Sequence, residues 1–343
     1  MHLEFVKTRS RAPLRLGLAG GGTDLSAYCN RFGGAVLNVT MDRYAFASFI
    51  PRTDDQVVFE ADDMGVVENH DIRLGSSDLV LHRAVYDRMM RDFNDGKRIP
   101  MTVRTTVDAP PGSGLGSSSA LVVALVDGFR AILGAPLGDY DVAHLAYEIE
   151  REDAGLSGGR QDHYAAAFGG INFIEFNPND QVVVNPIRLA RDDLNELECS
   201  LVVGFSGRSR KSAHIIDQQT TALTGDDAAA LEAMHKLKAD AIAMKGVLLQ
   251  GDIEGMARIL SESWIAKKAT ASAVSNDELE KLMHIAHENG ALGGKVSGAG
   301  GGGFMFFLVH PENRFRLIEK LTASGCHSSR VKLTFEGSET WRY

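Results

Sequence analysis

The stretch from Pro110 to Ala120 carries the residues best suited to chemistry, because glycine and serine dominate it. A segment with so few large side chains lets its backbone N–H groups converge on an anion, and a following helix adds the positive end of its dipole. Its serine hydroxyls can also ligate Mg²⁺, which prefers hard oxygen ligands shared with phosphate. We therefore predict a binding site for nucleotide phosphates. A flexible loop in which Ser117 or Ser118 caps the next helix is the alternative.

Two other glycine clusters lie far from this segment in the sequence. The cluster Gly20 to Asp24 places a carboxylate after a run of glycines, so that Asp24 can accept hydrogen bonds from substrate hydroxyls. A cap for a helix that begins near Leu25 is the alternative. The cluster Gly298 to Gly303 fits the dinucleotide-binding pattern only formally, because the residues after it predict a strand where that pattern needs a helix. We interpret it as a loop that closes on a ligand or on the glycine segment Pro110–Ala120, with a plain hairpin turn as the alternative.

Charged residues supply further candidates. Asp162 follows the glycine pair Gly158–Gly159, and a carboxylate in such a position can orient or deprotonate a hydroxyl that attacks a phosphate. An acidic residue at the solvated start of a helix is the alternative. Basic residues that can meet a phosphate on the acceptor, or simply lie on the solvated surface, are Arg208, Arg210, Lys211, Lys267 and Lys268.

The elements that must position these residues follow from apolar periodicity. The predicted strands are Leu3–Lys7, Arg11–Leu18, Ala35–Ile50 as paired strands, Gln56–Glu60, Met101–Val107, Gly170–Phe176, Val182–Arg188, Ser200–Phe205, Gly303–Val309 and Val331–Phe335. The predicted helices are Ser77–Phe93, Ala120–Leu133, Tyr140–Arg151, Gln161–Ala167, Ala228–Gln250, Asp252–Ala269, Asp277–Asn289 and Asn313–Ser324. Strands and helices that do not alternate strictly indicate an α+β fold.

Length and composition bound the class of protein. A chain of 343 residues predicts two domains, and we place the boundary in the polar connection Arg191–Glu196, which gives domains of residues 1–190 and 191–343. The net charge of −9 disfavours a broad basic surface for nucleic acid. The N-terminus lacks the apolar core of a secretory signal, and no apolar stretch is long enough to span a bilayer. Three cysteines fit neither a disulfide framework nor a zinc site. We expect a cytoplasmic protein without a membrane or nucleic-acid partner.

Three motifs in order resemble those of the GHMP kinases, the superfamily named for galactokinase, homoserine kinase, mevalonate kinase and phosphomevalonate kinase. They are Arg11–Arg15, Pro110–Ala120 and Lys295–Gly302, and together they extend over almost the whole chain. The resemblance implies a two-domain α+β fold in which ATP and the acceptor meet in the interdomain cleft.

The resemblance also implies roles for individual residues. Asp162 is similar to the catalytic aspartate, Arg15 to the basic residue beside the acceptor hydroxyl, and Ser118 and Glu150 to the Mg²⁺ ligands. The implied ATP-binding residues are Pro111, Gly112, Ser113, Gly114, Leu115, Gly116, Ser117, Ser118 and Ser119. The expected acceptor-binding residues are Gly21, Gly22, Thr23, Asp24, Arg208, Lys211, Gly300 and Gly301.

Two differences from other family members restrict the choice of acceptor or affect the site residues. The segment Ala19–Asp24 stands where galactokinases carry a Gly-Glu-His element, which speaks against galactose and mevalonate, and Glu150 lies one residue further from Asp162 than in mevalonate kinase. Within the superfamily, Arg11–Asp24 and Gly159–Tyr164 look most like the bacterial D-glycero-D-manno-heptose kinases. That likeness implies transfer from ATP to the anomeric hydroxyl of heptose 7-phosphate, for nucleotide-activated heptose in capsule or lipopolysaccharide. A kinase of mannose or fucose and a non-catalytic sugar sensor are the alternatives. The oligomeric state stays open, with a homodimer among the options.

Overall fold

The computed structural model describes residues 6–71, 76–207, 212–225 and 227–343, which form two β-sheets with helices around them. The strands are β1 (Thr8–Ala19), β2 (Gly34–Pro51), β3 (Gln56–Ala61), β4 (Val66–Asp71), β5 (Met101–Val107), β6 (Ile171–Phe176), β7 (Val182–Pro186), β8 (Leu201–Phe205), β9 (Ala291–Val296), β10 (Phe304–Val309), β11 (His327–Arg330) and β12 (Glu339–Arg342). The helices are α1 (Ser26–Phe32), α2 (Val80–Phe93), α3 (Ser117–Leu133), α4 (Asp139–Glu148), α5 (Gln161–Phe168), α6 (Arg191–Ser200), α7 (Ser212–Thr224), α8 (Ala228–Leu249), α9 (Ile253–Ala269), α10 (Asp277–Glu288) and α11 (Pro311–Ala323). A π-helical turn (Ile149–Asp153) and a 3₁₀ turn (Ser272–Val274) complete them.

The first sheet runs in the order β12-β1-β2-β5-β3-β4, and β6 and β7 extend it beside the first half of β2. Its pairs are antiparallel except for β3 with β5. Strand β2 is long enough to pair with β1 along most of its length, with β6 near its start and with β5 near its end. Helix α3 packs against β1 and β2, so the strand that carries Arg15 lies directly against the helix that follows the phosphate segment.

The second sheet runs in the order β11-β8-β10-β9 and is antiparallel throughout. Every residue of its inner strand β10 is buried, and successive side chains enter two different cores. Phe306 and Leu308 join the large core shared with the first sheet, whereas Phe307 and Val309 pack in a core that also holds Leu317 of α11. Burial on both faces explains the uninterrupted apolar sequence of β10. Helices α8 and α9 pack together and connect the sheets, because α8 contacts β1 and β2 while α9 contacts β9.

The structure agrees with the predicted α+β class and corrects several of the predicted elements. Ala35–Ile50 forms part of one long strand, not a pair, because its neighbours β1, β5 and β6 come from elsewhere in the sequence. The predicted connection Arg191–Glu196 lies within helix α6, which buries Leu197 and has acidic residues in its first turn. The predicted strand Val331–Phe335 makes only an isolated bridge between Leu333 and Met41. Part of the predicted strand Leu3–Lys7 lies outside the described residues.

The domain boundary near residue 190 stays a prediction. Strand β12 is relevant to it, because this strand lies after the boundary in the sequence but pairs with a strand before it. Glu339–Arg342 pairs with Thr8–Arg11 of β1, so the sheet of the N-terminal half takes an edge strand from the C-terminal half. The side chain of Thr340 also donates a hydrogen bond to Asp127 of α3 at 2.9 Å. In the described part of the chain, no helix is both long and apolar enough to cross a membrane.

Candidate active site

The phosphate segment is a tight turn between β5 and α3. Gly112, Gly114 and Gly116 all have positive φ, and Gly116, at φ 74°, is the residue that immediately precedes α3. Glycine adopts this left-handed conformation without the steric penalty that a Cβ atom would impose. In the described chain, no side chain caps the start of α3, so its first backbone N–H groups and the positive helix end can receive an anion.

A large apolar cavity of about 640 Å³ opens on one side of this turn. Its volume falls in the usual range for nucleotide-sized ligands, roughly 300–1,000 Å³. Pro111, Gly112, Ser117 and Ser118 contribute its phosphate-segment wall. Residues of α2, β5 and α3 supply part of the remainder, among them Leu81, Val107 and Leu121. A ligand in this apolar cavity can place its phosphates at the start of α3 while an apolar or aromatic part lies deeper.

A smaller polar cavity of about 70 Å³ opens on the other side, and Asp162 and Arg15 lie in its wall. Arg15 Nε and Nη2 each donate to the same carboxylate oxygen, Asp162 Oδ1, at 2.6 Å. The third guanidinium nitrogen, Nη1, donates to Gly114 O at 2.6 Å and to Ser297 Oγ at 3.2 Å. Arg15 therefore connects the acidic residue, the phosphate segment and the third motif.

Asp162 lies where the polar cavity meets the phosphate segment. A Cβ atom at Gly116 would approach Asp162 Cγ to 3.1 Å and Oδ2 to 3.2 Å. Glycine at this position thus lets the carboxylate touch the start of α3. Since Arg15 occupies only Oδ1, and no hydrogen bond to Oδ2 is made within the described residues, Oδ2 can accept a hydrogen bond from a ligand hydroxyl.

The Gly20–Asp24 cluster splits into structural and cavity-lining residues. Thr23 is fully buried, and its hydroxyl bonds to Gly20 O, Ala35 O and Ala35 N, so it holds the turn against β2 and does not line the polar cavity. Gly21, Gly22 and Asp24 do line it. Asp24 Oδ1 accepts from Gln161 Nε2 at 2.9 Å, and its Oδ2 accepts from the Gln161 backbone N–H at 3.1 Å. Asp24 therefore fixes the turn that precedes Asp162, a role that the isolated sequence motif did not indicate.

The third motif forms the loop between β9 and β10, and it packs on the phosphate segment. Gly298 and Ala299 lie in the wall of the polar cavity. Gly300 and Gly301, which we predicted to bind the acceptor, lie instead against the 3₁₀ turn, where Gly301 N donates to Val274 O at 2.6 Å. The backbone N–H of Phe304 donates to Ser113 O at 2.7 Å. The buried residues Ser113 and Leu115 hold the phosphate segment in place, whereas Pro111, Gly112, Ser117 and Ser118 line the apolar cavity.

The contact between the second and third motifs leads to a stability prediction. Gly114 has φ +82°, and a Cβ atom there would lie 2.4 Å from Ser297 O. We expect Gly114→Ala to lower the free energy of unfolding by about 2–4 kcal/mol, since backbone strain and a steric clash add together. Thermal unfolding measures the loss, and weakened ATP binding should accompany it.

Gly134→Ala is the matched control for that substitution. Gly134 ends α3 with φ +64°, but a Cβ atom at this position would have no neighbouring atom within 4 Å. It carries the backbone penalty without the clash, and we expect a loss of only about 1 kcal/mol. Equal losses for both variants would show that the Gly114–Ser297 contact is not tight.

Glu150 lies in the π-helical turn and is almost fully buried. Its Oε2 accepts hydrogen bonds from Ser119 Oγ at 2.7 Å and His163 Nε2 at 2.6 Å. Burial alone would raise the pKa of Glu150, but the His163 hydrogen bond and the nearby Arg151 charge outweigh it and lower the pKa to about 2. An ionised carboxylate is thus held beside the first turn of α3. A π-helical turn holds one more residue than an α-helical turn. This agrees with the spacing between Glu150 and Asp162, which is one residue longer than in mevalonate kinase.

The basic residues named from the sequence fall into three groups. Arg208, Arg210 and Lys211 lie outside the described residues. Lys268 is partly exposed and forms an ion pair with Glu280 at 3.1 Å, as a solvated surface residue does. Lys267 is buried in the wall of the polar cavity, where its Nζ donates to Gly21 O at 2.7 Å. Lys295 lies in the same wall, although sequence reasoning treated it only as the first residue of a motif.

A carboxylate that lines one cavity and touches the start of a helix lining a second cavity is the arrangement of an enzyme that brings two substrates together. The family models described as GHMP kinases N terminal domain and GHMP kinases C terminal match residues 80–170 and 224–326. A D-glycero-alpha-D-manno-heptose 7-phosphate kinase from Campylobacter jejuni is 43% identical over 337 residues, which cover 97% of this chain and 98% of that protein. The chain belongs to the GHMP kinases.

Solved structures agree with that assignment. A D-glycero-D-manno-heptose 1-phosphate kinase from Bacteroides thetaiotaomicron is 38% identical with a TM-score of 0.83, and the match covers 98% of this chain and 99% of that one. A putative sugar kinase from Campylobacter jejuni is 42% identical with a TM-score of 0.81, with 99% of each chain covered. The predicted superfamily, its two-domain α+β fold and the kinase class are confirmed.

Proposed function

We propose that this protein transfers the γ-phosphoryl group of ATP to the anomeric hydroxyl of D-glycero-D-manno-heptose 7-phosphate, which gives the 1,7-bisphosphate and ADP. The observation that carries this proposal is the position of Asp162, which lines the polar cavity and lies against Gly116, the residue that precedes α3. Helix α3 also lines the apolar cavity, whose volume suits a nucleotide. The near full-length similarity to a heptose 7-phosphate kinase supports the choice of acceptor.

In the proposed reaction the anomeric oxygen forms a bond to the γ-phosphorus as the bond from that phosphorus to the β-phosphate bridging oxygen breaks. Asp162 Oδ2 orients the hydroxyl and accepts its proton, and ADP leaves with the electron pair of the broken bond. Arg15 holds the carboxylate through Oδ1 and places positive charge beside the attacking oxygen. Backbone N–H groups at the start of α3 stabilise the phosphate charge. Positioning and charge therefore account for the catalysis.

The donor groups near the phosphate segment fit a Mg²⁺ ion that arrives with ATP. Ser118 is exposed in the wall of the apolar cavity, and the ionised Glu150 accepts a hydrogen bond from Ser119, the next residue of α3. A serine hydroxyl and an ionised carboxylate both offer the hard oxygen ligands that Mg²⁺ prefers. We propose Ser118 and Glu150 as the residues that hold Mg²⁺, which when bound neutralises charge on the β- and γ-phosphates.

The neighbouring serines test the proposed metal site. We expect Ser118→Ala to weaken Mg²⁺-dependent ADP binding by about tenfold while metal-free ADP binding changes little, because the hydroxyl acts through the metal. Ser119→Ala should instead lower the free energy of unfolding by about 1 kcal/mol, because it removes a donor to buried Glu150. Calorimetric ADP titrations with and without Mg²⁺, together with thermal unfolding, separate the two effects. Identical behaviour of the two variants would contradict the assignment of Ser118.

The acceptor is tested with purified protein in an ADP-release assay. Heptose 7-phosphate, heptose 1-phosphate, free heptose, mannose and fucose form the panel, and NMR of the product identifies the phosphorylated carbon. The proposal expects heptose 7-phosphate to give the highest kcat/KM, with the new phosphate on carbon 1. Preference for heptose 1-phosphate, which the name of one similar structure suggests, would replace the proposed acceptor. ATP and sugar binding without ADP release would favour the sugar sensor.

The setting of the reaction is part of the same proposal. ATP and sugar phosphates are cytoplasmic metabolites, so we place the enzyme in the cytoplasm. Its bisphosphate product suits a route to nucleotide-activated heptose for capsule or lipopolysaccharide.

A further inference from the structure

Two lysine side chains are buried side by side in the wall of the polar cavity. Lys267 comes from α9 and Lys295 from β9, and each is only 4% exposed. Lys267 Nζ donates to the carbonyl oxygen of Gly21, whereas none of the described residues accepts a hydrogen bond from the Lys295 ammonium. Lysine is almost never buried to this extent without a carboxylate partner. The pair therefore needs an explanation from function.

The carboxylates of the polar cavity are committed to other groups. Asp162 accepts hydrogen bonds from Nε and Nη2 of Arg15. Asp24 accepts hydrogen bonds from Gly22 N and from the backbone and side chain of Gln161. Asp240, whose charge also acts on Lys295, is paired with Lys236 through Oδ1 at 2.5 Å. The polar cavity is thus lined by three basic side chains and only two carboxylates. In the described part of the chain, neither lysine forms a hydrogen bond with a carboxylate.

Both buried lysines have pKa values below the ordinary value of a lysine side chain. Burial lowers the pKa of Lys295 to about 7. The charges of Lys267 and Arg15 act in the same direction, and the charge of Asp240 partly opposes the shift. Burial likewise lowers the pKa of Lys267 to about 8, although Asp24 partly opposes the shift. A bound dianion would supply the missing negative charge, restore the protonated form of both lysines and accept their donors.

We propose that Lys267 and Lys295 bind the phosphate group that the acceptor already carries, and that they thereby select a phosphorylated sugar over a free one. This inference rests on the proposed function. The transferred phosphoryl group is a poorer candidate for the lysines, because it reaches Asp162 from the apolar cavity and neither lysine lines that cavity. The lysines instead share the polar cavity with Asp24 and Gln161, on the acceptor side of Asp162.

The test compares acceptors with and without the phosphate. For Lys267→Met and Lys295→Met, we expect the KM for heptose 7-phosphate to rise about 10–100-fold, since each loses a charge-assisted contact. The kcat/KM for free heptose should change less than about threefold, as should the KM for ATP. Methionine keeps most of the side-chain volume, so the variants should fold, although at position 267 it removes the donor to Gly21 O together with the buried charge.

Lys268→Met is the matched control for these substitutions. Lys268 is the neighbour of Lys267 on α9, but it is partly exposed and paired with Glu280. It should keep the wild-type preference for the phosphorylated acceptor. Equal losses of kcat with phosphorylated and free heptose in Lys267→Met and Lys295→Met, at unchanged KM, would instead place the lysines on the transferred phosphoryl group and overturn the inference.

A binding measurement separates this inference from the proposed reaction. With ADP and Mg²⁺ saturating the nucleotide site, inorganic phosphate should raise the Tm of the wild-type protein and of Lys268→Met, but not of the double variant Lys267→Met/Lys295→Met. If heptose 7-phosphate is not a substrate and this pattern still holds, the phosphate subsite stands and the proposed acceptor fails. If heptose 7-phosphate is the substrate and the lysine variants keep full discrimination, the subsite is wrong and the proposed function stands.

Discussion

Asp162→Asn is expected to lower kcat about 10²–10⁴-fold, the usual contribution of a positioned acid or base. Asparagine keeps the size of the side chain but cannot accept the hydroxyl proton, and it removes the charge that Arg15 faces. The KM for ATP should change only a few-fold, because Asp162 does not line the apolar cavity. Steady-state kinetics at saturating concentrations of both substrates measure the effect.

Asp153→Asn is the control for this substitution. Asp153 also pairs with an arginine, Arg88, at 3.0 Å, but the pair lies on the partly exposed face of the π-helical turn. It should leave kcat close to the wild-type value. Near wild-type turnover by both Asp162→Asn and Asp162→Ala would remove Asp162 from the proposed mechanism.

Lys295→Met is expected to stabilise the unliganded protein near neutral pH, although it should impair acceptor binding. The substitution removes an ammonium group that is buried without a hydrogen-bonded carboxylate. The free energy of unfolding should rise by a few kcal/mol, on the order of 3, given the size of the pKa shift. Urea denaturation without ligands measures the difference from the wild-type protein.

The pH dependence of that difference has a definite sign. The pKa of Lys295 is about 7 in the folded protein, against 10.5 as its ordinary value. Between these values the unfolded chain holds a proton that the folded protein has released, so wild-type stability gains from Lys295 as the pH rises through this window. Below about pH 7 both states are protonated and the group adds no slope. The advantage of Lys295→Met should therefore be greatest near about pH 6 and shrink towards about pH 10.

Lys268→Met again provides the comparison, since its partly exposed side chain should give no advantage at any pH. A Lys295→Met protein that is less stable than the wild type near about pH 6 would show that the ammonium has a compensating partner.

The sequence predicted the apolar strands well, but it did not predict β9. Glycines weaken the strand signal of Ala291–Val296, yet they are what the packing requires. A Cβ atom at Gly293 would lie 2.1 Å from Ala257 O of α9, and one at Gly294 would lie 2.4 Å from the ring of Phe307. Close contacts with α9 and with Phe307 of β10 thus require glycine in β9, where β-branched residues would have made the strand recognisable. Strand pairing from distant parts of the chain could not be read from local patterns either, as the single strand β2 shows.

Parts of the candidate site could be predicted from the sequence where the backbone geometry requires glycine. The phosphate segment and the neighbourhood of Asp162 follow from glycines that only close approach explains, such as Gly116 against Asp162. Lys295 was not predictable as a site residue, because its importance depends on Lys267, which approaches from a different helix. Gly300 and Gly301 show the converse: a motif indicates a loop, but not which of its residues face the ligand.

Strand β12 has a consequence for how the chain folds during synthesis. Strand β1, which carries Arg15, is synthesised before its edge partner Glu339–Arg342, and all of the second sheet lies between them in the sequence. Contacts between such distant segments form slowly and only after the intervening chain is available. A nascent chain would therefore expose the edge of β1 until β12 arrives, and chaperone binding should be strongest before that strand has emerged from the ribosome.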